Sequence, residues 1–211
     1  MGFLDMFKSK WKHSDSRVRL RAVESLDDQS SLLHVAKSAR HEDVREAAMA
    51  RLEDAFLAEI VKTHSDMDIR RLAFERLTDQ VLLADISRDS NISSDVRMAA
   101  VGRLTDQVLL NNIAWDGNIS SDVREVAVGR LTDQAFLVGI AKMCAQSDVR
   151  VAALERVEDQ EVLADIVTTA SDWDVREAAA KHLTDQALLV DIAKKPNEPH
   201  ARRRAVEHLS I

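Results

Sequence analysis

The sequence predicts an all-α solenoid of short two-helix units, on three observations. A signature arginine recurs at Arg19, Arg45, Arg70, Arg97, Arg124, Arg150, Arg176 and Arg202, in steps of 26, 25, 27, 27, 26, 26 and 26 residues. A period in this range marks stacked supersecondary units, none of which buries its apolar face alone. Seven residues beyond each arginine stands an apolar residue (Leu26, Leu52, Leu77, Leu104, Leu131, Val157, Leu183, Leu209). Two residues further on comes an aspartate in all but the last unit: Asp28, Asp54, Asp79, Asp106, Asp133, Asp159 and Asp185. The segments on either side of this mark carry apolar residues at helical spacing, such as Leu137 with Ile140 and Leu163 with Ile166. Residues 1–11 stand outside the repeat as an N-terminal capping segment. Seven full units and a C-terminal half unit fill residues 12–211.

Within a unit, the first helix is expected to start at a capping aspartate (Asp43, Asp68, Asp95, Asp122, Asp148, Asp174) and to run to the leucine. The second starts at Thr-Asp-Gln, where Thr78, Thr105, Thr132 or Thr184 can cap and the aspartate sits in the first turn. Helices this short are marginal in isolation, so stacking must hold them. In the capping segment, Phe3, Phe7 and Trp11 share a helical face, with Lys8, Lys10 and Lys12 nearby. That face suits a cover for the open apolar end of the first unit; the second reading is an anchor for a membrane or partner. In the first unit Arg17 stands where the others have the capping aspartate. The unit after Arg45 lacks the glutamine that follows the aspartate elsewhere, which accounts for its shorter step. The units of Arg97 and Arg124 have nearly identical joints, Ser90-Asn91-Ile92-Ser93-Ser94-Asp95 and Gly117-Asn118-Ile119-Ser120-Ser121-Asp122.

The recurring arginine falls inside the apolar arc of the first helix. With Leu131 at zero and about 100° per residue, Arg124 lies near about +20°, between Ala127 and Val128. A guanidinium there needs a partner, because an unpaired buried charge is prohibitively costly. The expected partner is the repeated aspartate. The result is a structural ladder of Arg45, Arg70, Arg97, Arg124, Arg150 and Arg176 with Asp54, Asp79, Asp106, Asp133, Asp159 and Asp185.

The pattern Asp-Val-Arg-x-x-Ala, followed by Leu, Asp and a Leu-x-x-Ile-Ala helix, resembles the short HEAT-like repeats of bacterial proteins. The phycobilin lyase-type repeats and the leucine-rich repeat variant are the relatives it is most similar to. The resemblance runs from Lys12 to Leu209. It implies a right-handed α-solenoid used for binding, and no reaction; no lyase residue maps onto the chain. The proline common at the start of HEAT helices is missing, and the units are shorter than in large HEAT proteins.

A net charge of −7 argues against a general nucleic-acid binder, which presents a basic excess. A single cysteine, Cys144, rules out an internal disulfide and fits a reducing compartment. No apolar run is long enough to span a membrane, and the start is too poor in basic residues for a signal peptide. The expected location is the cytoplasm, with any membrane contact confined to residues 1–11.

The residue before each repeat leucine is Arg51, Arg76, Arg103, Arg130 and Arg156, then His182 and His208, so these side chains line up along the stack. Gly102 and Gly129 precede two of them, and glycine inside a helix costs about 1 kcal/mol against alanine. Duplication or crowding explains this blandly; a bare strip for an acidic partner explains it functionally. The candidate partner-binding residues are Arg76, Arg103, Arg130 and Arg156, with Trp115 as an anchor, for an acidic peptide or protein surface. The alternative is nucleic acid, with the same strip against phosphates. Trp173, which matches Met67 in its unit, reads as packing. Asp89-x-Asn91-x-Ser93 and Asp116-x-Asn118-x-Ser120 open like calcium loops but lack the glycine and final glutamate such loops need. The histidines are scattered, and the aspartates are taken up by caps and ladder. A scaffold without enzyme activity, metal or cofactor is expected.

Overall fold

The computed structural model describes residues 10–195 and 199–209, which contain fifteen α-helices and no strand. They are α1 (Ser16–Glu24), α2 (Gln29–Ser38), α3 (Glu42–Met49), α4 (Asp54–Thr63), α5 (Met67–Arg76), α6 (Gln80–Arg88), α7 (Ser94–Gly102) and α8 (Gln107–Trp115). The series continues with α9 (Ser121–Arg130), α10 (Gln134–Met143), α11 (Ser147–Leu154), α12 (Gln160–Thr169), α13 (Trp173–His182), α14 (Gln186–Lys194) and α15 (Pro199–His208). The chain divides into two compact units, 1–86 and 87–211. Most of the expected capping segment, residues 1–9 with Phe3, Phe7 and Lys8, lies outside the described residues. Trp11 is buried, its ring 5.7 Å from that of His34.

Both units are built in the same way. Each first helix packs on the second helix before it (α2 on α3, α4 on α5; α8 on α9, α10 on α11, α12 on α13). First helices also stack on first helices (α1–α3–α5; α7–α9–α11–α13) and second helices on second helices (α2–α4; α8–α10, α12–α14). This is the solenoid arrangement that the period predicts. The alanine of the signature (Ala48, Ala73, Ala100, Ala127, Ala153, Ala179) is buried in every complete unit from the second on, and allows close approach between layers. Leu57, Leu83, Leu110, Leu137, Leu163 and Leu189 form the matching seam of the second helices.

The helix starts differ from expectation in an informative way. The second helix is capped by the aspartate, not the threonine: Asp133 accepts from the backbone N–H of Ala135 and Phe136, and Asp79, Asp106, Asp159 and Asp185 act alike. An ionised carboxylate at the positive end of the helix is a stronger acceptor than a hydroxyl, so it takes the cap. The threonine is thereby released to the neighbouring unit. Gln107 Oε1 accepts from Thr132 N, Thr132 Oγ1 and Asp133 N, while its amide donates to Arg130 O at 3.4 Å. Gln134 and Gln160 clamp the following turns in the same manner, through Glu158 N with Arg156 O, and through Thr184 N with His182 O. Gln29 does so in the first unit, through Glu53 N and Arg51 O. Asp54 turns out to occupy the glutamine's place: it opens α4 and accepts from Thr78 N, Thr78 Oγ1 and Asp79 N. The residue missing from that unit is the aspartate of the cap, where Glu53 stands without a capping bond.

First helices likewise begin one residue before the expected aspartates, which fall in the first turn. Asp66 and Asp172, two positions earlier, provide side-chain caps, whereas His41, Ser93, Ser120 and Gln146 make none.

These caps correct the expected ladder. Asp79, Asp106, Asp133, Asp159 and Asp185 turn to their own helix, and Asp54 to the next turn, so the arginines find other partners. Arg19 bonds Asp43, and Arg150 bonds Asp172 at 3.0 Å, each reaching into the next first helix. Arg45 donates to Ala39 O and Arg40 O, Arg70 to the Met67 sulfur, and Arg176 stacks on Trp173 at 5.9 Å. Asp122 is held below the usual carboxylate range chiefly by hydrogen bonds from Ser120 and Ser94, and the charge of Arg97 adds a smaller pull in the same direction. Arg124 is 1% exposed and meets only neutral acceptors: Ala114 O at 2.8 Å, Cys144 Sγ at 2.9 Å and Gln146 Oε1. The arginines are inside the layers, as the helical arc requires, but they lie one joint away from the aspartates assigned to them.

Two outcomes follow from these contacts. Removing the clamp in Gln134→Ala takes away two hydrogen bonds to backbone and should cost about 1–2 kcal/mol, read as a lower urea midpoint. Gln146→Asp supplies Arg124 with the carboxylate that Arg150 has in Asp172, and adds a cap to α11. It should raise stability by about 1–3 kcal/mol at neutral pH, a gain lost as acid protonates the new carboxylate.

Candidate partner-binding surface

A helix end leaves carbonyls without intrahelical partners, and the arginine before each repeat leucine is placed to meet them. Arg130 Nη2 donates to Leu104 O at 3.0 Å and Arg156 Nη2 to Leu131 O at 3.0 Å, each in the preceding turn. Arg51 reaches back to Val23 O in the same direction, while Arg76 bonds Leu72 O of its own helix at 3.1 Å. Arg130 and Arg156 nonetheless remain exposed, and Arg103 is half-buried. The expected row of arginines is therefore present at the first-helix ends, and part of it is tied to the backbone.

The two glycines can be judged directly. No glycine has a positive φ, and a Cβ built on Gly102 or Gly129 would meet nothing within 4 Å. Crowding is thus not their reason. In neighbouring units the same position is Glu75 and Glu155, each followed by its arginine. At Gly102-Arg103 and Gly129-Arg130 that adjacent carboxylate has been removed.

Trp115 lies elsewhere. It ends α8, beside Ala114, whose carbonyl binds Arg124 near the start of α9. Arg130 is six residues further along α9, about 9 Å at the helical rise. The anchor and the strip thus occupy opposite edges of the layer and do not form one site. Trp115 is 39% exposed, and its Cζ2 would touch a Cβ on Gly139 at 3.9 Å. In two other joints the corresponding positions hold an ion pair between repeats, Lys37–Glu59 near the N-terminus and Lys142–Asp165 in the next joint. Trp115 over Gly139 replaces that pair: a large ring where the lysine was, and bare backbone where the acid was. Met143, 76% exposed, stands one turn beyond Gly139.

Electrostatics around the strip are mixed. Glu125 on α9 has its pKa raised, first by burial and then by Asp148, Asp122 and Glu155. Asp43 is pulled down chiefly by the hydrogen bond from Arg19, and Asp172 by that from Ser147. The stability these aspartates contribute is present above the ordinary carboxylate range and is lost as pH falls through their depressed values. Glu125 acts in the opposite sense, since its ionised form is the costly one.

Among the described residues no cluster of histidine, cysteine, aspartate and glutamate is placed to hold a metal. The two calcium-like segments are local turns, in which Asp89 accepts from Asn91 N and Asp116 from Asn118 N, both at 3.0 Å. Cys144 is buried under Arg124.

No protein family profile matches the chain, and no curated protein matches it. Among solved structures, a leucine-rich repeat variant with a novel repetitive structural motif is 21% identical, with a TM-score of 0.54, covering 98% of this chain and 82% of that one. The E. coli protein YibA is 16% identical over 99% of this chain and 92% of its own, with a TM-score of 0.39. No described helix is long and apolar enough to cross a membrane. The chain has the fold of a helical repeat protein, similar to that of the leucine-rich repeat variant.

Proposed function

We propose that this protein is an interaction scaffold whose first-helix ends receive an acidic segment of a partner protein, centred on Arg103 and Arg130. The carrying observation is the pair of Gly-Arg steps. In each, a helix gives up a favourable residue that no packing or backbone requirement explains, and has no acidic residue at the position where Glu75 and Glu155 stand in the units on either side. The contact of Arg130 with Leu104 O holds its guanidinium in one orientation, which lowers the entropy lost when a carboxylate docks. Repeat folds of this kind commonly serve as binding scaffolds, and nothing in the site is arranged for catalysis.

A polyanion is the weaker occupant. A nucleic-acid backbone tracking along the row would pass Glu155 and Glu158 at Arg156, beside the acidic group that raises Glu125. One or two carboxylates fit the short positive interval better than a continuous line of phosphates.

A glutamate-rich peptide, followed by fluorescence anisotropy at low salt, should bind the full chain, and Arg103→Glu with Arg130→Glu should abolish this while the helical circular dichroism persists. Unchanged peptide affinity would remove the site, and tighter binding of duplex DNA than of peptide would favour the phosphate reading. Gly102→Ala with Gly129→Ala should move two readouts in opposite directions. Stability should rise by about 0.5–1 kcal/mol per site and peptide affinity should fall, because the added methyls fill the approach. Trp115→Lys with Gly139→Asp should rebuild the neighbouring ion pair and keep stability within about 1 kcal/mol, whereas Trp115→Lys alone should be the less stable protein, as denaturant midpoints would show.

A further inference from the structure

The first joint of the N-terminal unit contains a cleft of about 540 Å³ between Trp11 and the segment 38–41. Lys12, His34, Arg40 and His41 line it, with Ser38 and Ala39, and among the described residues no carboxylate does. In a chain of net charge −7 this is a local reversal of sign.

Comparison with the other units shows how the reversal is made. The position of His34 is Glu59, Asp85, Asn112, Gly139, Asp165 or Asp191 elsewhere; that of His41 is Asp15, Asp66, Ser93, Ser120, Gln146 or Asp172; that of Arg40 is Ser14, Ser65, Ile92, Ile119, Ala145 or Ser171. Three positions that hold no basic residue in these other layers are basic here, and the fold brings all three to one cleft. One of the changes carries a cost. His41 stands at the N-cap of α3 and makes no side-chain capping bond, as at Ser93, Ser120 and Gln146, whereas Asp66 and Asp172 cap their helices. Such a cap contributes about 1 kcal/mol.

The surrounding groups leave the positive charge available. Lys12 and Arg40 are exposed and make no side-chain hydrogen bond or ion pair among the described residues. Asp43, the acid near His41, is already bound by Arg19 through both oxygens at 3.0 and 2.9 Å. Arg45 lies beneath the loop, donating to Ala39 O and Arg40 O, and its buried Nε has no hydrogen-bond partner.

We propose that this cleft is a binding site for a small phosphorylated molecule. The volume falls within the range of about 300–1,000 Å³ usual for small-molecule sites. Arg40 offers a planar fork for phosphate oxygens, Lys12 a mobile point charge, and the two imidazoles further donors. Carboxylate ligands would find the same charges, but the number of converging donors suits an anion with several oxygens on one centre. The site is independent of the arginine strip, which belongs to other joints.

Inorganic pyrophosphate is the probe. Calorimetric titration of the full chain at constant ionic strength should show saturable binding at one site, and the ring protons of His34 and His41 should shift along the same isotherm. Returning the joint to its neighbours' residues gives the decisive variants. Arg40→Ser and His41→Asp should each weaken binding by at least about tenfold. His41→Asp should at the same time raise the melting temperature, by restoring the cap, which shows that the variant is folded. Arg130→Glu should leave pyrophosphate affinity unchanged. Absence of saturable binding in the millimolar range, or a loss smaller than tenfold in both reverted variants, overturns the proposal.

Discussion

Every layer of this protein has to solve the same problem at the turn between its two helices. The first helix ends with carbonyls unpaired, the second begins with amides unpaired, and only three or so residues separate them. The turn cannot satisfy itself. The aspartate covers the start of its own helix, and the remaining groups are met from the adjacent layers: a glutamine from the layer before accepts from the turn amides and donates to the turn carbonyl, as Gln107, Gln134 and Gln160 do. Arginine from the layer after completes the set at Leu104 O and Leu131 O. Apolar burial along the alanine and leucine seams supplies most of the stability, but it is non-directional. The clamps fix which turn faces which, and they explain why Thr-Asp-Gln recurs as a block.

The buried arginines illustrate a second constraint. Their position in the helical arc is set by period, yet their partners vary from layer to layer: a carboxylate for Arg19 and Arg150, a sulfur for Arg70, an indole for Arg176, and neutral acceptors for Arg124. The partner depends on what the joint of the adjoining layer presents. Where Asp172 is available, Arg150 remains 18% exposed and ion-paired; where Gln146 stands instead, Arg124 sinks to 1% exposure among oxygen and sulfur. A guanidinium has five donors in a fixed fork, so it can be held by several weak acceptors where no strong one is offered.

Much of this was legible in advance, and the limits are instructive. Helix number, the seam residues and the burial of Arg124 all follow from periodicity, because a side chain's direction on a short helix is fixed by its position. The partners of Arg124 and Arg150 did not follow, since they depend on the rotation between successive layers, which no repeat length contains. Asp54 was misassigned for a related reason: counting from Leu52 placed it with the capping aspartates, but the deletion lies before it, and hydrogen bonding to Thr78 identifies it as the glutamine's substitute. The row of arginines was readable as a row, though its bonds to carbonyls were not. The Trp115–Gly139 exchange had a signal that could have been found, namely that two positions 24 residues apart depart from Lys and Asp together.

Side chains aimed at a neighbour's main chain have a consequence for how such a molecule can change. Gln134 meets the amide of Glu158 and Gln160 that of Thr184, and neither contact asks what side chain the other layer carries there. A layer joined in this way can be duplicated, lost or transplanted without matching changes next door. Contacts such as Lys142 with Asp165, or Trp115 over Gly139, have no such freedom, because each half is useful only with its counterpart. Modular growth is therefore encoded in the glutamines, while the individuality of a given layer is recorded in its paired side chains.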